Sequence, residues 1–188
     1  RAVALRPDYV DAHLNRGNVS FHQGRYHEAL ASYRIVLQHD PGRAAAHNNC
    51  AQILAHLGRR AEAERSYRAA IAADPSAADS YNNLANLQAA EGRADEAAAN
   101  FRAALALRPD FALCHNNLGR LLFVEGDFAA AAEHFAAAVQ YAPGSARYHN
   151  NLGAARRELG DLTGADEAIA AALRLHPDMV DALINLAA

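Results

Sequence analysis

Lysine is missing from this chain altogether, so its 18 cations are all arginine, set against 21 carboxylates. A net charge of −3 with the signs interspersed supplies neither the basic footprint that nucleic acid demands nor an acidic tail. No nucleic-acid partner is expected. No apolar run approaches the roughly 18 residues needed to span a bilayer, so no membrane partner is expected either. Cysteine is scarce. Cys50 and Cys114 read as small buried hydrophobes, and neither a structural disulfide nor a metal site is expected from them.

Proline is scarce too, but its placing is informative. The chain's six prolines, Pro7, Pro41, Pro75, Pro109, Pro143 and Pro177, stand 34 residues apart. Gly24, Gly58, Gly92, Gly126 and Gly160 keep the same step between them. A fixed period of this length marks a stacked repeat protein, in which length counts modules instead of cores. Tyr81 to Asp110 is the representative segment.

The repeats resemble the tetratricopeptide repeat (TPR) family, a helix-turn-helix of 34 residues, across essentially the whole chain. With position 1 at Val10, Ala44, Ala78, Ala112, Ala146 and Val180, the family's columns align. Position 8 holds Gly17, Ala51, Ala85, Gly119, Gly153 and Ala187; position 20 holds Ala29, Ala63, Ala97, Ala131 and Ala165. Position 24 holds Tyr33, Tyr67, Phe101, Phe135 and Ile169, with proline at position 32. The family's tryptophan at position 4 is replaced by His13, His47, Tyr81, His115, His149 and Leu183. The resemblance implies an all-α fold, a right-handed α-solenoid superhelix with first helices on the concave side. One solenoid, 1–188, is expected: the end of a preceding repeat (1–9), repeats at 10–43, 44–77, 78–111, 112–145 and 146–179, and the first helix of a sixth at 180–188. No initiator methionine opens the chain, which is expected to be cut from a longer, cytoplasmic array.

Local pattern agrees with this. Ala97, Phe101, Ala104 and Leu105 recur at i, i+4, i+7 and i+8, one stripe of a helix. Small residues at positions 8 and 20 allow two helices to approach, with the aromatic at 24 filling the space beyond. Glycine at position 15 ends each first helix, Asp127 and Asp161 at position 16 cap second helices, and proline stops them. The fifth repeat is the least typical, with Gly164 near its second-helix start and Arg156 where Leu54 or Leu122 would be buried.

Two asparagine columns carry the functional expectation. Position 6 holds Asn15, Asn49, Asn83, Asn117, Asn151 and Asn185 without exception. Position 5 adds Asn48, Asn82, Asn116 and Asn150, flanked by Leu14 and Ile184. Asparagine is a mediocre helix former, so such a run needs a reason. Its amide offers donors and an acceptor together, matching the N–H and C=O of an extended backbone. Helices about 8–10 Å apart would meet a strand advancing roughly 3.3 Å per residue at every third residue. The expectation is an asparagine ladder holding an extended polypeptide in the concave groove, helped by outward-facing members of position 5. Position 9 (Asn18, Gln52, Asn86, Arg120 and Ala154) and position 2 (Asp11, Ala45, Asp79, Leu113, Arg147 and Asp181) are candidates for side-chain selectivity. The columns are similar to the repeats of O-linked N-acetylglucosamine transferases, which implies a substrate-recruiting role beside a catalytic domain. A chaperone-binding clamp, which in the family needs lysine at position 5, is disfavoured. Self-association through array ends or the convex face is the rival expectation.

No catalytic residues and no cofactor are expected, since no carboxylate pair, phosphate loop or activated nucleophile assembles from the columns. Position-4 histidines one repeat apart should be about 8–10 Å apart, too far to share a zinc ion that holds each ligand near 2 Å. They are expected at the seam between helices. Glu28, Glu62 and Glu96 at position 19 are expected as solvated charges.

Overall fold

The computed structural model describes residues 7–187, which form eleven α-helices. They are α1 (Pro7–His22), α2 (Tyr26–His39), α3 (Ala44–His56), α4 (Arg60–Ala73), α5 (Ala78–Ala90), α6 (Ala94–Leu107), α7 (Ala112–Val124), α8 (Phe128–Tyr141), α9 (Ala146–Glu158), α10 (Leu162–Leu175) and α11 (Val180–Ala187). The expectation of a preceding helix over 1–9 falls mostly on residues outside those described. Pro7 belongs instead to α1, and the first turn of a helix is where a missing N–H costs no hydrogen bond.

The chain divides into two compact units, Arg1–Glu91 and Gly92–Ala188. In the first, α1 pairs with α2 and α3 with α4, α2 packs on α3 and α4 on α5, and α1 touches α3 as α3 touches α5. In the second, α7 pairs with α8 and α9 with α10, α6, α8 and α10 pack on the helices that follow them, and α7 touches α9 as α9 touches α11. Each unit therefore presents a face made of first helices alone.

The small columns explain the close pairing. Ala29, Ala63, Ala97 and Ala131 have no exposed surface, and neither has Ala51 or Ala85. At Gly119 a Cβ would lie 2.8 Å from the Phe135 ring and 3.2 Å from the Ala131 carbonyl oxygen; at Gly153 it would lie 2.6 Å from Ile169. The residues of the aromatic column, Tyr33, Tyr67, Phe101, Phe135 and Ile169, are all buried. Gly126, at φ 82°, shows how the first helices end. Its N–H donates to the Phe123 carbonyl (3.1 Å) and that of Asp127 to the Leu122 carbonyl (2.9 Å), a left-handed stop that glycine adopts without a Cβ clash.

Helix starts come in two chemistries. Asp127 and Asp161 accept from the backbone N–H of Ala130 (3.1 Å) and Gly164 (3.0 Å). Where position 16 is arginine it reaches forward instead: Arg25 to Glu28 (3.3 Å), Arg59 to Glu62 (2.7 Å) and Arg93 to Glu96 (2.6 Å). The acidic position-19 residues are thus paired as well as solvated. Arg156 donates to the Gly164 carbonyl at 2.9 Å and lies 3.8 Å from Asp161, so the two oddities of the fifth repeat answer one another.

Candidate functional site

The position-6 asparagines lie on the first-helix faces. Asn15 is exposed, and Asn49, Asn83, Asn117, Asn151 and Asn185 are half-buried. Asparagines one position earlier go elsewhere. Asn82, Asn116 and Asn150 are 2%, 1% and 6% exposed, and Asn48 is half-buried. A step of roughly 100° per residue turns the second amide of each pair into the seam between neighbouring repeats. Outward-facing position-5 side chains are therefore not found among the three buried members.

The position-5 amides orient the position-6 ones. Asn48 Nδ2 donates to Asn49 Oδ1 and Asn82 Nδ2 to Asn83 Oδ1, both at 3.3 Å; Asn116 does the same to Asn117 at 3.5 Å. The same side chains accept from the next repeat: Asn83 Nδ2 to Asn48 Oδ1 (3.1 Å), Asn151 to Asn116 (2.8 Å) and Asn185 to Asn150 (2.9 Å). Leu14 interrupts the pattern, and Asn49 turns to Asn18 Oδ1 at 2.9 Å, which also accepts from the Tyr33 hydroxyl at 2.8 Å. An amide has two N–H donors and two acceptor lone pairs. Asn83, held by one bond of each kind, retains one donor and one acceptor site.

Of the position-9 candidates, Asn86 and Arg120 are exposed and Asn18 and Gln52 half-buried. Between α7 and α9 lies a cleft of about 180 Å³ lined by Arg120, Phe123, Val124, Phe135, Asn151 and Ala154.

The position-4 histidines are structural in their contacts. His47, His115 and His149 each place Nε2 2.9 Å from the carbonyl oxygen of the proline six residues earlier, Pro41, Pro109 and Pro143. A carbonyl only accepts, so Nε2 carries the proton in each. The remaining Nδ1 of His115 then accepts from His134 Nδ1–H at 3.0 Å. Burial, followed by the charge of His115, lowers the His134 pKa below its ordinary 6.5. His13 is lowered as well, first by burial and then by Arg16, and its Nδ1 is buried without a hydrogen-bond partner. Burial pushes the Cys50 thiol up to about 11 and that of Cys114 to about 12. Among the described residues no group of three or more His, Cys, Asp or Glu is placed to hold a metal ion, and no helix is long and apolar enough to cross a membrane.

Signals for several of these contacts lie in the sequence. Proline followed six residues later by histidine recurs with the carbonyl bond, and position 19 is glutamate wherever position 16 is arginine, changing to Ala130 and Gly164 where it is aspartate. The amide pairs join residues 35 apart, which no local periodicity displays.

Comparison with known proteins gives a consistent family. A Tetratricopeptide repeat profile matches residues 20–89 and 88–155, and a second Tetratricopeptide repeat profile matches 146–179. Among solved structures, PilF of Pseudomonas aeruginosa aligns with a TM-score of 0.86 at 21% identity, covering 94% of this chain and 80% of that one. YrrB, described as a TPR protein with an unusual peptide-binding site, aligns at 0.72 and 23% identity over 92% and 89% of the two chains. MamA of Desulfovibrio magneticus RS-1 aligns at 0.76 and 18% identity over 91% and 97%. No curated protein matches the sequence. Identities this low carry the fold and nothing finer.

Proposed function

The chain belongs to the tetratricopeptide repeat family, and from that membership we propose that it is a non-catalytic interaction module holding extended polypeptide on its first-helix faces through the position-6 asparagines. The observation that carries this reading is the division of labour within each amide pair. Buried Asn82, Asn116 and Asn150 lock their half-buried neighbours in place, and a side chain locked before binding loses less rotamer entropy when a ligand arrives. The remaining donor and acceptor of a residue such as Asn83 match one peptide unit of an extended strand. YrrB, similar in fold, is itself described as having a peptide-binding site.

The test is a binding titration of selected peptides against the wild type and an Asn49→Ala, Asn83→Ala, Asn117→Ala variant. Loss of three main-chain contacts should weaken binding by at least about tenfold while the melting curve is retained. Equal affinity with intact folding would remove the ladder.

The rival reading is self-association through array ends or the convex face, and light scattering across a concentration series decides it. The narrower role of presenting substrate to an attached glycosyltransferase domain rests on the spelling of the asparagine columns; the open reading frame around this segment tests it.

A further inference from the structure

The cleft between α7 and α9 exists because two columns change together there. In the first repeat the Tyr33 hydroxyl, bonded to Asn18 at 2.8 Å and receiving Asn49 at 3.4 Å, fills the space beneath the first-helix face. The fourth repeat has Phe135 in that column, without the hydroxyl, and the neighbouring position-9 residue is Ala154 where Gln52 and Asn86 stand in the second and third. Removing one hydroxyl and shortening one side chain leaves about 180 Å³ above the Phe135 ring. That is on the scale of a cavity that takes a single benzene-sized group.

Its walls are apolar and its rim is cationic. Phe123 and Phe135 supply aromatic surface, and Val124 is 81% exposed at the mouth. Arg120 is exposed and has no ion-pair partner among the described residues.

We infer that this cleft is a specificity pocket for one large apolar side chain, leucine, methionine or phenylalanine, of an extended peptide that carries an acidic residue two places from it. The inference rests on the peptide-binding reading of the first-helix face. Asn151 lines the cleft and holds the backbone, so the side chain entering beside it is fixed in register, and in an extended strand the residue two places along returns to the same side. Its carboxylate meets Arg120.

A random peptide library displayed on phage is selected against the chain, and the enriched peptides are measured by fluorescence polarisation. Enrichment of an apolar residue with aspartate or glutamate two places from it is expected. Ala154→Gln and Phe135→Tyr fill the pocket with residues that other repeats already carry in the same columns, and each should weaken those peptides about tenfold. Arg120→Gln should weaken them about fivefold and flatten the salt dependence. Alanine in place of the peptide's apolar residue should weaken binding to wild type and leave binding to Ala154→Gln nearly unchanged. Peptides of any other composition, bound equally by the filled variants yet lost on Asn49→Ala with Asn83→Ala, overturn the pocket and leave the ladder standing. A selection that enriches no peptide overturns both.

Discussion

At the scale of the residue, function and stability are divided between neighbours that look alike in the sequence. Asn116 and Asn117 are adjacent and identical, yet one is 1% exposed and the other half-buried. Asn116→Leu copies Leu14 of the first repeat and releases Asn151; the expected outcome in a peptide titration is weaker binding with little change in melting, because the contact survives and its preorganisation does not. Gly119 and Ala85 share a column, but only at Gly119 would a methyl meet the Phe135 ring at 2.8 Å. Gly119→Ala should cost about 1–3 kcal/mol in a denaturant melt. The buried thiols make a chemical prediction. With Cys50 and Cys114 pushed up to about 11 and about 12, the thiolate is rare at neutral pH, so a thiol reagent should label the native chain far more slowly than the denatured one. The lowered His134 and His13 set the sign of the pH response. The folded state resists protons that the unfolded chain accepts near 6.5, so the contribution is complete above that pH and is lost as pH falls below it. Urea midpoints should drop between about pH 7.5 and about pH 5, and His134→Gln should shrink the drop.

At the scale of the element, the same helix start is made in two ways with unequal consequences. Asp127→Ala removes a side-chain acceptor from the Ala130 N–H and should cost roughly 0.5–2 kcal/mol, read as a lower melting midpoint. Arg59→Ala removes a pair with Glu62 that stands in water, where screening and side-chain entropy absorb most of the attraction, so no comparable shift is expected. The aspartate caps were legible in the sequence because capping is local, one side chain meeting a backbone group three residues on. The arginine and glutamate starts were not read from the sequence, where the glutamates were expected only as solvated charges, although two columns that change together carry the signal. Arg156 was less legible still. Its position reads as a buried leucine, and only the fold brings the guanidinium to the Gly164 carbonyl, at the far side of a turn.

At the scale of the whole molecule, each helix contacts mainly its sequence neighbours, so stability should accumulate repeat by repeat. The sequence by itself determined the period, the helix ends and the small columns, because each is decided within one turn or one hairpin. Spacing alone placed glycine at every left-handed stop and alanine or glycine at every close crossing. Tertiary structure decided which asparagine of each pair is buried, which amide it holds in the next repeat, and where a missing hydroxyl opens a cleft. Those outcomes depend on side chains about one repeat apart meeting across a seam, and no pattern along the chain records how far each one reaches.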